Sequence, residues 1–121
     1  MKLEFDSPLD YTDGTVIDPT VAATMAYTVF ADTVNPPVKT FPVPAAIVAA
    51  GTKNANGTVH VTIDLLKGDL PGFTPAPGVL YYFSIKDTVQ ENGAAVSSAD
   101  APVVSSTYQP TPQVPANFTL A

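Results

Sequence analysis

The residues with types and spacing that suggest chemistry are few, and most of them are carboxylates. Asp10, Asp13 and Asp18 fall within or beside the turn-rich stretch Tyr11-Thr12-Asp13-Gly14-Thr15-Val16-Ile17-Asp18-Pro19. Several hard oxygens in one loop are what calcium requires, but the spacing matches no EF-hand loop. Asp-Gly is also ordinary turn chemistry, so the stretch reads as turn punctuation and no metal site is expected. His60 is the single histidine. It falls on the outward face of an alternating run, a surface position without a catalytic partner. No G-x-S-x-G surround, phosphate-binding G-x-x-x-x-G-K-[ST] or dinucleotide-binding G-x-G-x-x-G occurs. With no cysteine there are neither disulfides nor thiolate metal sites. Asn56-Gly57-Thr58 and Asn117-Phe118-Thr119 match glycosylation acceptors, read here as chance matches because MKLEFDSP lacks the apolar core of a signal peptide. The chain is therefore expected to be non-enzymatic, with no catalytic residue and no cofactor.

Charge narrows the partners. Eleven acidic residues stand against five lysines and no arginine, a net charge of −6. Binding nucleic acid needs clustered Lys and Arg to neutralise phosphates, and an anionic membrane surface needs the same. Neither partner is expected. No run approaches the ~18 apolar residues of a membrane span. Arginine and tryptophan, both enriched at binding hot spots, are absent, which favours broad, low-energy protein contact.

Positioning falls to short strands. Thirteen prolines and seven glycines among many threonines and valines suit strands joined by turns, and 121 residues suit one core. The central stretch is Leu70 to Gly93. Within it Tyr81, Phe83 and Ile85 share one face at period two, while Tyr82, Ser84 and Lys86 share the other. Pro71-Gly72 and Pro75-Ala76-Pro77-Gly78 turn the chain before it, and Asn92-Gly93 supplies a hairpin turn after it. Strict alternation carries Asp87 to the inner face, where an unpaired carboxylate is costly, so Asp87 is expected at the rim. Lys2–Asp6 places Leu3 and Phe5 on one face. Ala26–Ala31 reads as the next strand, and Thr58–Leu66 points Val59, Val61, Ile63 and Leu65 inward. Residues 38–50 are split by Pro42 and Pro44 and read as an edge strand or irregular segment. Residues 51–57 read as a flexible turn, 94–101 as a polar loop and 102–108 as the last strand.

Leu70-Pro71-Gly72 followed by Gly78-Val79-Leu80-Tyr81-Tyr82-Phe83-Ser84-Ile85 resembles the E–F corner and F strand of fibronectin type III domains. The resemblance implies an all-β, immunoglobulin-like antiparallel sandwich over residues 1–108, with the Tyr81 ring in the core and its hydroxyl tied to nearby backbone. LEFDSP resembles the family's strand B, with Phe5 where the core tryptophan is usual. The stretch 11–19 resembles the B–C loop of bacterial and phage members. The family's opening strand A is not seen ahead of residue 3. The last residues of the proline-rich segment 109–121 resemble it instead, which makes Val114, Asn117, Phe118 and Leu120 candidate intersubunit residues. Three readings of this tail stay open: the start of a second domain, a strand closing its own sandwich, and a strand added to a neighbouring subunit.

These readings point to a non-catalytic structural or surface-display module, in a virion or at an extracellular surface. A bacteriophage head decoration or tail protein is the expected setting, with copies of itself or a capsid or tail protein as partner. The alternative is a carbohydrate- or cell-surface-binding accessory module, for which Phe30, Tyr82 and Tyr108 are the candidate surface aromatics.

Overall fold

A computed structural model describes residues 1–117, 119 and 120. Two antiparallel sheets face each other across one hydrophobic core, forming an all-β sandwich. The smaller sheet has the order β1 (Lys2–Asp6), β5 (Val59–Asp64), β4 (Thr52–Lys53). The larger runs β3 (Thr40–Pro42), β2 (Ala26–Asp32), β6 (Leu80–Glu91), with β7 (Ala94–Ser97) and β8 (Val104–Thr107) both on the far side of β6. Period-two sequence explains the four longest strands. Leu3 and Phe5 turn inward opposite Ile63 and Val61, and Val29 and Ala31 lie opposite Ile85 and Phe83.

Val29, Val61, Ile63, Leu65 and Leu70 are almost wholly buried between the sheets. Phe73, just past the Pro71-Gly72 turn, packs edge-on against Phe41, Tyr81 and Phe83 at centroid distances of 5.6, 5.1 and 5.7 Å. Edge-to-face contact suits the ring quadrupoles. The Tyr81 ring is buried and its hydroxyl accepts a 2.8 Å hydrogen bond from the Ala76 N–H. This bond staples the proline turn to the strand it feeds.

Several segments differ from their sequence reading. Within 38–50, β3 is the expected edge strand, but α2 (Ala45–Ala49) is a short helix opened by Pro44. Five residues cannot display helical periodicity, while alanine favours the helix once tertiary contacts hold it. The 51–57 segment contains β4, paired with β5, so only its tip is a turn. Gly51 is required there, since a Cβ would stand 2.5 Å from Val59 Cγ1 and 2.8 Å from the His60 carbonyl. A second short helix, α1 (Pro19–Ala22), is capped by Asp18.

The main strand β6 extends to Glu91 before Asn92 and Gly93, at φ 51° and 79°, reverse the chain. The expected loop after this turn begins instead as β7. Residues 98–101 stay stitched to β6: Ser98 N–H donates to the Asp87 carbonyl at 2.9 Å, and Ala101 N–H to the Ile85 carbonyl at 2.8 Å. That crossing covers Ser84, placed by alternation on the wetter face but buried, with its hydroxyl donating to the Ala101 carbonyl. Asp87 is half-buried opposite Tyr27, and burial pushes its carboxyl above the usual range.

Tyr81→Phe keeps the ring and removes only the acceptor for Ala76. It is expected to lower unfolding stability by about 1 kcal/mol with an unchanged urea m-value. Phe83→Ala, which empties core volume, is expected to cost about 3–5 kcal/mol in the same urea titration.

Candidate functional site

A sandwich must dispose of the backbone groups at its sheet edges, and four edges are present here. β3 is three residues long and ends in Pro42; β4 has two residues. The β7–β8 edge is broken between Ser97 and Val104. The outer edge of β1 is different: five regular residues, no proline, and no partner strand among the described residues. Met1 C=O accepts from Leu65 N–H at 3.0 Å and Ser7 N–H donates to the Val59 carbonyl at 2.9 Å. Odd-numbered residues therefore turn their backbone groups to β5. By alternation, those of Lys2, Glu4 and Asp6 point to the open side.

Behind this edge, between the sheets, lies a groove of about 200 Å³, lined by Leu3, Phe5, Ile85, Ala101, Pro102 and Val104 among others. The groove forms because β1 and β8 border the two sheets on the same flank and, among the described residues, no strand bridges them. Val104 is exposed. Unpaired backbone donors and acceptors beside an apolar slot are the two elements that an incoming strand requires.

The outer face beside the edge is polar. His60, opposite Asp6 in the β1–β5 register, approaches Asp6 Oδ1 through Nδ1 at 2.9 Å and Glu4 Oε1 through Nε2 at 3.7 Å. Asn54 Nδ2 also donates to Asp6 Oδ1 at 2.9 Å. The bonds from Asn54 and then His60 hold the Asp6 carboxyl below its usual range. The hydrogen bond to Asp6, reinforced by both carboxylate charges, raises His60 above its ordinary 6.5 despite some desolvation. His60 is thus an outer-face residue as expected, but one held between two acids. Sequence reasoning missed that grouping because it arises only from strand register.

The other sequence candidates are dispersed. Asp13 Oδ1 accepts from the Thr15 N–H and hydroxyl, and Asp18 Oδ1 from those of Thr20. Both carboxylates act as turn and cap acceptors, and among the described residues no group of three His, Cys, Asp or Glu gathers to hold a metal ion. Phe30 and Tyr82 share the outer face of the larger sheet: Phe30 stands opposite Ser84, and Tyr82 two residues before it. Lys86 Nζ lies 5.8 Å from the Phe30 ring centroid. Tyr108 follows β8, its carbonyl accepting from Gly78 N–H at 2.9 Å. In the tail, Val114 and Leu120 are 87% and 101% exposed and Asn117 is left-handed at φ 57°, whereas Phe118 lies outside the described residues. Among the described residues of 109–121, none joins either sheet.

A second concavity, about 780 Å³, opens beyond Ser7 and Pro8, between the excursion through Leu9 and Ile17 and the Val48–Lys53 region. Its lining is largely apolar, with Lys53 its one charged residue. No protein-family model, curated protein or solved structure matches the chain, so the site is read from its own geometry.

Because the folded-state pKa of His60 is raised, its protonated contacts stabilise fully below pH 6.5 and are lost as pH rises through the folded value. Proton NMR of the imidazole is expected to titrate above 6.5. Asp6→Ala should bring that titration back toward 6.5, and His60→Gln should flatten the stability profile across the same window.

Proposed function

We propose that this chain is a non-catalytic structural module of a larger assembly, joined to a protein neighbour through the open flank at β1. One observation carries the reading: a regular, unpaired strand edge directly above an apolar groove. Natural sandwiches blunt such edges or fill them, and here the other three edges are blunted by brevity, proline or interruption. The fold is proposed to be of fibronectin type III type. Support comes from the pairing of β1 with β5, the β3-β2-β6-β8 order of the larger sheet, and the bond from Ala76 N–H to the Tyr81 hydroxyl in the proline-turn corner.

A bacteriophage virion accessory protein, decorating a head or belonging to a tail, is the proposed setting. An acidic, cysteine-free and arginine-free sandwich supports it, as does the 11–19 loop that resembles those of bacterial and phage members. This step is argued by analogy at the level of fold. The carbohydrate-binding alternative draws on Phe30 and Tyr82 sharing one face. Lys86 lies over Phe30, and neither ring lines the cavities described above. A glycan array on which binding is specific and lost with Tyr82→Ala would replace the structural reading.

Val104→Arg places a charge in the groove at an exposed position and leaves the core untouched. The native chain is expected to gain mass with concentration in light scattering, while the variant stays at the 12.6 kDa of one chain. Identical masses for the two across the series would remove the flank as the joint.

A further inference from the structure

We infer that the occupant of the open flank is the tail of a second copy of this chain, running antiparallel to β1 in a one-directional, head-to-tail assembly. The inference deepens the structural reading above and rests on it. Its first ground is the pattern of the tail. Val114, Ala116, Phe118 and Leu120 alternate with Pro115, Asn117 and Thr119, the period of a strand with one apolar face. In the isolated chain Val114 and Leu120 are uncovered, and the described tail residues pair with neither sheet. Apolar side chains at strand spacing and an apolar slot beside an unpaired edge are complementary in kind.

Proline chooses the register. Residues opposite one another in an antiparallel pair share a face, so the apolar tail positions must stand opposite Leu3 and Phe5 to enter the groove. The odd-numbered tail residues then present their backbone groups to Glu4 and Asp6. With Leu120 opposite Leu3 and position 118 opposite Phe5, Thr119 pairs with Glu4 and Asn117 with Asp6. Pro115, which has no N–H to give, then falls beyond the end of β1. Shifting by two residues toward Lys2 would bring Pro115 against Asp6 and lose a ladder bond. Asn117 must leave its left-handed conformation to join the ladder, and asparagine occupies both regions at low cost.

Direction counts against the chain's own tail in this antiparallel pairing. β8 runs so that Val104 lies opposite Phe83 and Thr107 opposite Leu80. Residues 106–111 line a cavity with Met1 and Leu66, so the tail leaves the sandwich at the Met1 end of β1. A strand antiparallel to β1 must enter at the Asp6 end. Residues 109–113, extended in a proline-rich linker at ~3.1 Å each, span roughly 16 Å. That is about the length of β1 itself at ~3.4 Å per residue. Closure within one chain would spend residues 109–113 reaching the entry and leave only Val114, Pro115 and Ala116 to reverse the chain. A copy stacked beyond the Asp6 end delivers its tail in the right direction without reversing. Donor and acceptor surfaces differ, so repetition gives a filament or ring.

Two full-length variants test the pairing. Leu120→Asp spoils the donor at a fully exposed position, and Val104→Arg spoils the acceptor. Each alone is expected to remain at 12.6 kDa by light scattering, and an equimolar mixture to form a species about twice that mass and nothing larger, since one tail and one groove remain. If Leu120→Asp and a chain ending at Tyr108 associate like the native chain while Val104→Arg does not, the flank is the joint but another segment fills it, and the inference fails alone. A native chain that stays monomeric and is more stable in urea than the chain ending at Tyr108 places the tail in its own flank and overturns it. Masses that neither variant alters remove the structural reading as well.

Discussion

The hydrogen-bonded ladder along both sides of β6 is the constraint from which the rest of the molecule follows. Of its twelve residues, Tyr82–Thr88 pair with β2 along one side, while Leu80–Phe83 pair with β8 and Thr88–Glu91 with β7 along the other. A strand buried in mid-sheet must satisfy every backbone group in this way. The same strand carries Tyr81 and Phe83 into the aromatic cluster around Phe73, and its entry turn is pinned by the Tyr81 hydroxyl. Once β6 is placed, β2 has one register, and the inner faces of β2 and β6 set where β5 and β1 can pack. The 98–101 crossing is the visible cost of this demand. β7 and β8 cannot remain one continuous strand, yet the carbonyls of Asp87 and Ile85 still find donors across the gap.

That interruption also shapes the flank. Ala101, Pro102 and Val104 lie on the β8 side of the slot whose other side is Leu3 and Phe5. A continuous strand pairing with Ser84 and Ile85 would present a more regular wall, whereas the crossing buries Ser84 and leaves Pro102 at the rim. The opening between the sheets is thus a consequence of how the larger sheet satisfies its backbone, and β1 is left with an edge unpaired among the described residues and with Leu3 and Phe5 only partly buried.

Much of the fold was legible because long strands with one buried face write their period into the sequence. Leu3 and Phe5, Tyr27 and Val29, Val61 and Ile63, and Tyr81 and Phe83 all alternate, and all point inward. Short elements lack the length to do so. α2 is five alanine-rich residues behind a proline, β4 is two residues, and β7 follows a turn that was read although its returning strand was not. Ser84 misled because alternation assigns a face but cannot say what crosses over it. The candidate site was legible only in its parts. A strand-like tail could be read from its motif, but a slot that joins Leu3 to Val104 is built by tertiary packing. The His60 pair with Asp6 depends on register, which sequence spacing does not encode.

The chemistry of the tail bears on what kind of joint it can make. Residues 109–120 carry no charged side chain, while the β1 edge presents Lys2, Glu4 and Asp6 on its outer face. A neutral strand laid on such an edge gains its affinity from backbone hydrogen bonds and from burying Leu120 and its apolar neighbours, so long-range steering contributes little to encounter. Association by this route is tuned by length and register more than by salt. The prolines at 110, 112 and 115 limit the conformations the free tail must give up, which lowers the ordering entropy that strand addition otherwise exacts. In the proposed register Pro115 would also stop the ladder at the end of β1, so the joint would be bounded at one end by proline and at the other by the limit of the strand. A bounded joint of two ladder-paired residues and a few apolar side chains is weak singly, and it suits an array in which many such joints act together.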